Sequence, residues 1–158
     1  MTLNDILLLG NEIEEIEKLE LPISFFVYLY NVKTSIEKDY NYIKYIKSHL
    51  QTTLHKAFEE EKDNMLRENA KKDESGQFVF ENGNIVFNNI LEVQSKLEDI
   101  SNKHKDAVED YGIRLNEYEK ISQKTIDINI PKISLDDFPD QLADKIDLFI
   151  DLIDEPGE

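Results

Sequence analysis

Leu29, Ile36, Ile43, Leu50 and Ala57 recur at a strict seven-residue interval, and no Pro or Gly interrupts the chain between Pro22 and Gly76. Val32, Tyr40, Ile46, Leu54 and Phe58 fill the companion positions less strictly. A repeat of this kind draws one apolar stripe along a helix, and the stripe stays in water unless a second helix covers it. With Ser24 as a cap, the pattern predicts a single helix of roughly 48 residues, about 70 Å long. A matching partner lies downstream. Ile90, Leu97, His104, Tyr111 and Tyr118 form one heptad series, and Val93, Ile100, Ala107, Arg114 and Ile121 the other, over about Asn88–Lys124. Gly112 falls inside this second helix, where a kink or a close contact is expected.

Between the two series the period changes to 2. Gln77-Phe78-Val79-Phe80 and Asn84-Ile85-Val86-Phe87 flank Asn82-Gly83, the pair a type I′ hairpin turn prefers because both central residues need positive φ. With Asn82 opposite Gly83, Phe80 faces Ile85 and Phe78 faces Phe87, and all four side chains share one face. Two heptad helices joined by so tight a turn should fold back as an antiparallel coiled coil.

Both termini belong at the opposite end of that stalk. Thr2 with Asp5 reads as a capping box, followed by Ile6, Leu9, Ile13 and Ile16 at helical spacing to about Leu19. Leu21-Pro22 ends this helix. Ile126, Ile128 and Ile130 alternate with Asp127 and Asn129, a short strand stopped by Pro131. A last amphipathic helix is predicted over about Pro139–Asp154. The expected fold is mainly α: a long antiparallel coiled-coil hairpin with a β-hairpin tip and a base of two terminal helices plus a short strand. All of it is read as a single domain, residues 1–158, with base 1–23 and 125–158, stalk 24–76 and 88–124, and tip 77–87.

Charge narrows the partners. Lys and Arg number 18 against 34 Asp and Glu, a net charge of −16. Such a chain repels nucleic acid and anionic membrane surfaces, so direct nucleic-acid binding and membrane association are not expected, and a charged partner should be basic. There is no cysteine, hence no disulfide framework or thiol chemistry. No apolar run approaches the roughly 20 residues of a membrane span, and Met1–Gly10 lacks the basic flank of a signal peptide. The expected compartment is the cytoplasm.

No motif carries catalysis. His49, His55 and His104 are far apart in sequence, and no HExxH, GxGxxG or Walker loop is present. His55 and Glu59 are spaced i,i+4 and could share a metal, but surface positions for His49 and His55 and a seam position for His104 are the expectation. No catalytic, cofactor-binding or metal-binding residue is assigned, and no cofactor is expected. Three segments are candidates for binding a protein. Asp140, Asp144, Asp147, Asp151 and Asp154 are spaced 4, 3, 4, 3, opposite Leu142, Ile146, Phe149 and Ile153. Residues Ser134 to Glu158 hold nine acids and one lysine, a stripe suited to a basic partner or to imitating a phosphate backbone. Ile126, Ile128 and Ile130 need a ladder that a second copy, another protein or an irregular segment of the base can supply. Phe78, Phe80, Ile85 and Phe87 form either a binding patch or a face packed on the helix ends near Met65 and Leu91.

Leu21-Pro22 before the long helix, the run Lys72-Asp73-Glu74-Ser75-Gly76-Gln77-Phe78 leading into Asn82-Gly83, and Ile133-Ser134-Leu135-Asp136-Asp137-Phe138 before the acidic end together resemble short proteins of tailed bacteriophages of unassigned function. The resemblance covers nearly the whole chain. It implies a setting in virion structure, virion assembly or host manipulation, in the bacterial host cytoplasm or the virion, and brings no catalytic residue with it. The helix–β-hairpin–helix order is also similar to prefoldin subunits, which lack the base built from both termini. The sequence therefore points to a non-catalytic interaction protein, a virion component or assembly factor, homo-oligomeric or bound to other proteins. The alternative is an acidic inhibitor of a host nucleic-acid-binding protein.

Overall fold

The computed structural model describes residues 1–154; Glu155 and Glu158, the last acids of the tail, lie outside the described residues. The chain is mainly helical. The helices are α1 (Leu3–Ile16), α2 (Ile23–Ser48), α3 (Thr53–Asn69), α4 (Ile90–Lys103), α5 (Lys105–Ser122) and the short α6 (Ile146–Phe149). The strands are β1 (Phe80–Glu81), β2 (Asn84–Ile85), β3 (Ile133–Ser134) and β4 (Ile153–Asp154), paired as two two-stranded sheets. They fall into two compact units, Met1–Ser48 with Tyr118–Glu158, and His49–Glu117.

The first unit is organised by α1 on α2. Thr2 and Asp5 close the capping box: Asp5 N–H donates to Thr2 Oγ1 at 3.2 Å and Thr2 N–H to Asp5 Oδ2 at 2.7 Å. The Thr2 backbone bond holds the Asp5 carboxyl below its usual range, against a smaller opposing effect of burial. Leu3, Ile6, Leu7, Leu9, Ile13 and Ile16 are buried with Phe25, Leu29, Val32, Ile36, Tyr40 and Ile43 of α2. Gly10 lies where the helices approach, and a Cβ there would run into the Tyr40 ring. The Tyr40 hydroxyl donates to Glu14 Oε1 at 2.8 Å, lies 3.0 Å from Asn11 Oδ1, and accepts from Lys44 Nζ at 2.9 Å. Ile130, Ile133, Phe138, Leu142, Phe149, Leu152 and Ile153 complete this core. Tyr28 is half-buried with its hydroxyl unpaired among the described residues, and burial, helped by nearby Asp154, pushes it up to about 12.

Two terminal elements differ from expectation. Residues 126–130 are extended but are not a strand: Ile126 N–H donates to Met1 O, and the ladder there stops at a Thr2–Thr125 bridge. The isoleucines alternate as predicted, but the chain's own core takes their side chains, so alternation reflects one-sided burial rather than pairing. The strands of this region are β3 and β4, parallel, with Ile133 opposite Ile153. The predicted last helix is also absent as a continuous element. It is 3₁₀ over Asp140–Lys145, α6, then 3₁₀ over Ile150–Leu152, with non-helical backbone at Leu142 (φ −107°, ψ 17°). Aspartate is a weak helix former, and repeated like charges at i,i+4 oppose a regular helix.

The second unit contains α3, the β-hairpin, α4 and the start of α5. The single helix expected from Ser24 onward is two. Ser48 Oγ donates back to Tyr45 O at 2.7 Å, and Thr52 caps α3 by accepting from His55 N at 3.2 Å. Hydroxyls at these positions compete with the helical ladder, so the break needs neither Pro nor Gly. The second predicted helix is interrupted at His104 (φ −108°, ψ 22°), not at Gly112, which is helical and has open space around a Cβ. Contacts run in opposite directions along the chain: Asn69 with Asn88, Glu61 with Lys103 and His104, Phe58 with His104, His55 with Tyr111, and His49 with Arg114. α3 and α4 are thus antiparallel, around buried Phe58, Met65, Val93 and Ile100.

Candidate functional site

The hairpin forms as its turn residues dictate. Asn82 (φ 50°) and Gly83 (φ 79°) turn the chain, and Phe80 pairs with Ile85 and Glu81 with Asn84. Upstream, the Asp73 carboxylate accepts from Ser75 N, Ser75 Oγ and Gln77 N at 2.6–3.0 Å. These bonds, the Ser75 hydroxyl first, hold it below the usual carboxylate range. Val86 N–H still donates to Val79 O, but Val79 N–H donates to Lys71 O and Lys71 N–H to Val86 O. Lys71 thereby inserts into one bond of the pair, and the next positions bridge elsewhere, Phe78 to Lys72 and Phe87 to Ala70. The expected pairing of Phe78 with Phe87 is replaced by this insertion.

The four hairpin residues split. Phe87 is partly buried against the core of α3 and α4. Phe78, Phe80 and Ile85 are 37%, 59% and 41% exposed, and Leu91, near which the packed alternative places them, is 73% exposed. Lys72 Nζ sits 5.5 Å over the Phe78 ring.

In the other unit all five aspartates, Asp140, Asp144, Asp147, Asp151 and Asp154, are exposed, while Leu142 and Phe149 are fully buried and Ile146 and Ile153 largely so. Their sidedness survives the loss of regular helix because a 3₁₀ turn has a period of about 3, close to the α spacing. Asp154 lies 4.0 Å from Lys132. The other four form no ion pair among the described residues, and Lys145, the lysine among them, is engaged by Glu12, which holds its ammonium charged to higher pH. Of the extended segment, Ile126 and Ile128 are partly buried and Ile130 is buried in the unit's core, with Asp127 and Asn129 outward.

His55 is not the surface residue expected from its sequence position. It is buried and stacked on Tyr111 (3.9 Å between ring centroids, 14° between planes). Its Nε2 is 3.8 Å from Glu59 Oε1, and its Nδ1 is without a hydrogen-bond partner among the described residues. Alongside, Glu61 accepts from Lys103 Nζ at 2.9 Å and lies 2.7 Å from His104 Nε2. The Lys103 bond, then His104, lowers the Glu61 carboxyl. The heptad reading places His104 and Tyr111 on the seam, but on the first helix it places Leu54 rather than His55 there; the break at 49–52 resets the phase, so that Leu54 is exposed and His55 buried. Among the described residues no three His, Asp or Glu side chains are placed to hold a metal ion, and no helix is long and apolar enough to cross a membrane. Compared with family models, with curated proteins and with solved structures, the chain matches none of them.

Proposed function

We propose that this is a non-catalytic protein–protein interaction protein, a phage virion component or assembly factor of the host cytoplasm or virion, working through an antiparallel coiled arm made by α3 and α4–α5. The observation that carries the reading is the exposed pair Phe80 and Ile85, opposite each other across the hairpin. A two-stranded ribbon gains little stability by itself, and large apolar side chains exposed together are typical of contact surfaces. The phage setting comes from the sequence resemblance. The isoleucine segment supports the reading less than the hairpin does, because its apolar face is occupied within the chain. A photo-crosslinking residue in place of Phe80, introduced in the native source, tests the proposal. Crosslinks to virion or assembly proteins, absent when the probe replaces exposed Tyr30, are the expected outcome; equal labelling from both positions would rule out the hairpin.

The acidic inhibitor reading has its own observation: Asp140, Asp144, Asp147 and Asp151 are exposed and form no ion pair among the described residues. Asp144→Asn, Asp147→Asn and Asp151→Asn together keep shape and remove three charges. If the protein imitates nucleic acid, its partner is a nucleic-acid-binding protein whose affinity for the triple variant falls and becomes less salt-dependent.

A further inference from the structure

Leu8 and Leu148 are the two apolar side chains of the first unit whose exposure has a shared setting. Leu8 is 50% exposed on α1, whose Leu7 and Leu9 are buried, and Leu148 is 37% exposed beside buried Phe149. Both line one cleft of about 190 Å³, together with Met1, Leu9, Asp5, Asp147 and Asp151. Leu148 and Asp147 continue into a second hollow of about 490 Å³, bordered by Glu12, Asp144 and Lys145. The two hollows share Asp147 and Leu148 and are lined by residues of α1 and of the segment 144–151, a groove with its apolar residues in the smaller hollow.

We propose that this groove is the docking site for a basic amphipathic segment of a partner protein, seating an apolar side chain between Leu8 and Leu148 and lysines or arginines beside the acidic residues that line it. Charge complementarity selects this occupant. Asp5, Asp144, Asp147 and Asp151 form no ion pair among the described residues, and Lys145 is already held by Glu12. A second copy is disfavoured because it would bring another −16 of charge to an acidic rim. The apolar lining of Leu8, Leu9 and Leu148 gives the segment a contact that a simple polycation does not use. This site is separate from the hairpin and goes beyond the reading built on it.

The test measures binding of the full-length protein to a panel of synthetic 14-residue helical peptides, each carrying lysines on both sides of one leucine, with the leucine register shifted through the panel. Each peptide has a counterpart with serine for leucine. At least one leucine peptide should bind wild type about tenfold or more tightly than its serine counterpart. Leu8→Ser and Leu148→Ser should each erase most of that preference while leaving the salt dependence unchanged. The Asp144→Asn, Asp147→Asn and Asp151→Asn triple variant should weaken binding and flatten the salt dependence, whereas Phe80→Ser with Ile85→Ser should change neither. All substituted side chains are exposed, and circular dichroism checks that each variant is folded. Equal affinity for leucine and serine peptides, or indifference to Leu8→Ser and Leu148→Ser, would reduce the binding to general polycation attraction and overturn the proposal. So would the absence of any binding in the panel, or a wild-type dimer in sedimentation that Leu148→Ser dissociates.

Discussion

Gly10 shows how one residue sets a helix crossing. Without a side chain there, the Tyr40 ring packs against α1 at Gly10 and its hydroxyl reaches Glu14 and Lys44. Gly10→Ala gains up to about 1 kcal/mol of helix propensity but overpacks a filled site, a cost of about 1–3 kcal/mol. The net expectation is a fall in the urea midpoint, and Tyr40→Leu in the same chain should recover part of it. Asp5 acts through charge. Its folded carboxyl is held low by the Thr2 backbone bond, so its contribution is present above the unfolded value of about 4 and lost as pH falls through the folded value. Asp5→Asn should therefore be less stable than wild type near neutrality, and the difference should shrink between about pH 5 and about pH 3 in thermal melts. A pH-independent difference would assign the loss to packing.

Among the elements, the stretch 140–152 separates burial from helix formation. Phe149 is wholly buried although its own helix is four residues long, so packing rather than local propensity holds the segment. Phe149→Ala should cost about 3–5 kcal/mol in urea unfolding, whereas Asp147→Asn, exposed on the other side, should stay within about 0.5 kcal/mol. A small effect of Phe149→Ala would mean that the segment contributes little to the unit. The β-hairpin is the opposite case, dictated locally by two residues able to adopt positive φ. The breaks at 49–52 and at His104 carry neither Pro nor Gly; Ser48 and Thr52 mark the first through side-chain hydrogen bonds, and at the second the His104 ring lies 2.7 Å from Glu61.

At the scale of the whole molecule, charge dominates. With 34 acids against 18 bases, self-repulsion opposes compaction, and the exposed ion pairs that salt also weakens contribute little. Adding salt from about 0.02 M to about 0.2 M should raise the melting temperature. A fall would mean that the ion pairs around Glu14, Glu61 and Glu12 outweigh the repulsion. The triple aspartate-to-asparagine variant should show a smaller salt effect than wild type.

The amino-acid sequence by itself determined the local chemistry: the Thr2–Asp5 cap, the Asn82-Gly83 turn with Phe80 against Ile85, the alternating burial of Ile126, Ile128 and Ile130, and the outward aspartates. Each depends on neighbours within a few residues, where side-chain type and spacing are sufficient. Tertiary structure decided what those patterns were for. It covered the isoleucines from within, paired Ile133 with Ile153 instead, buried His55 against Tyr111, and left Phe80, Ile85, Leu8 and Leu148 in water. An apolar period states that a face must be covered, and only the three-dimensional arrangement states which segment, if any, covers it.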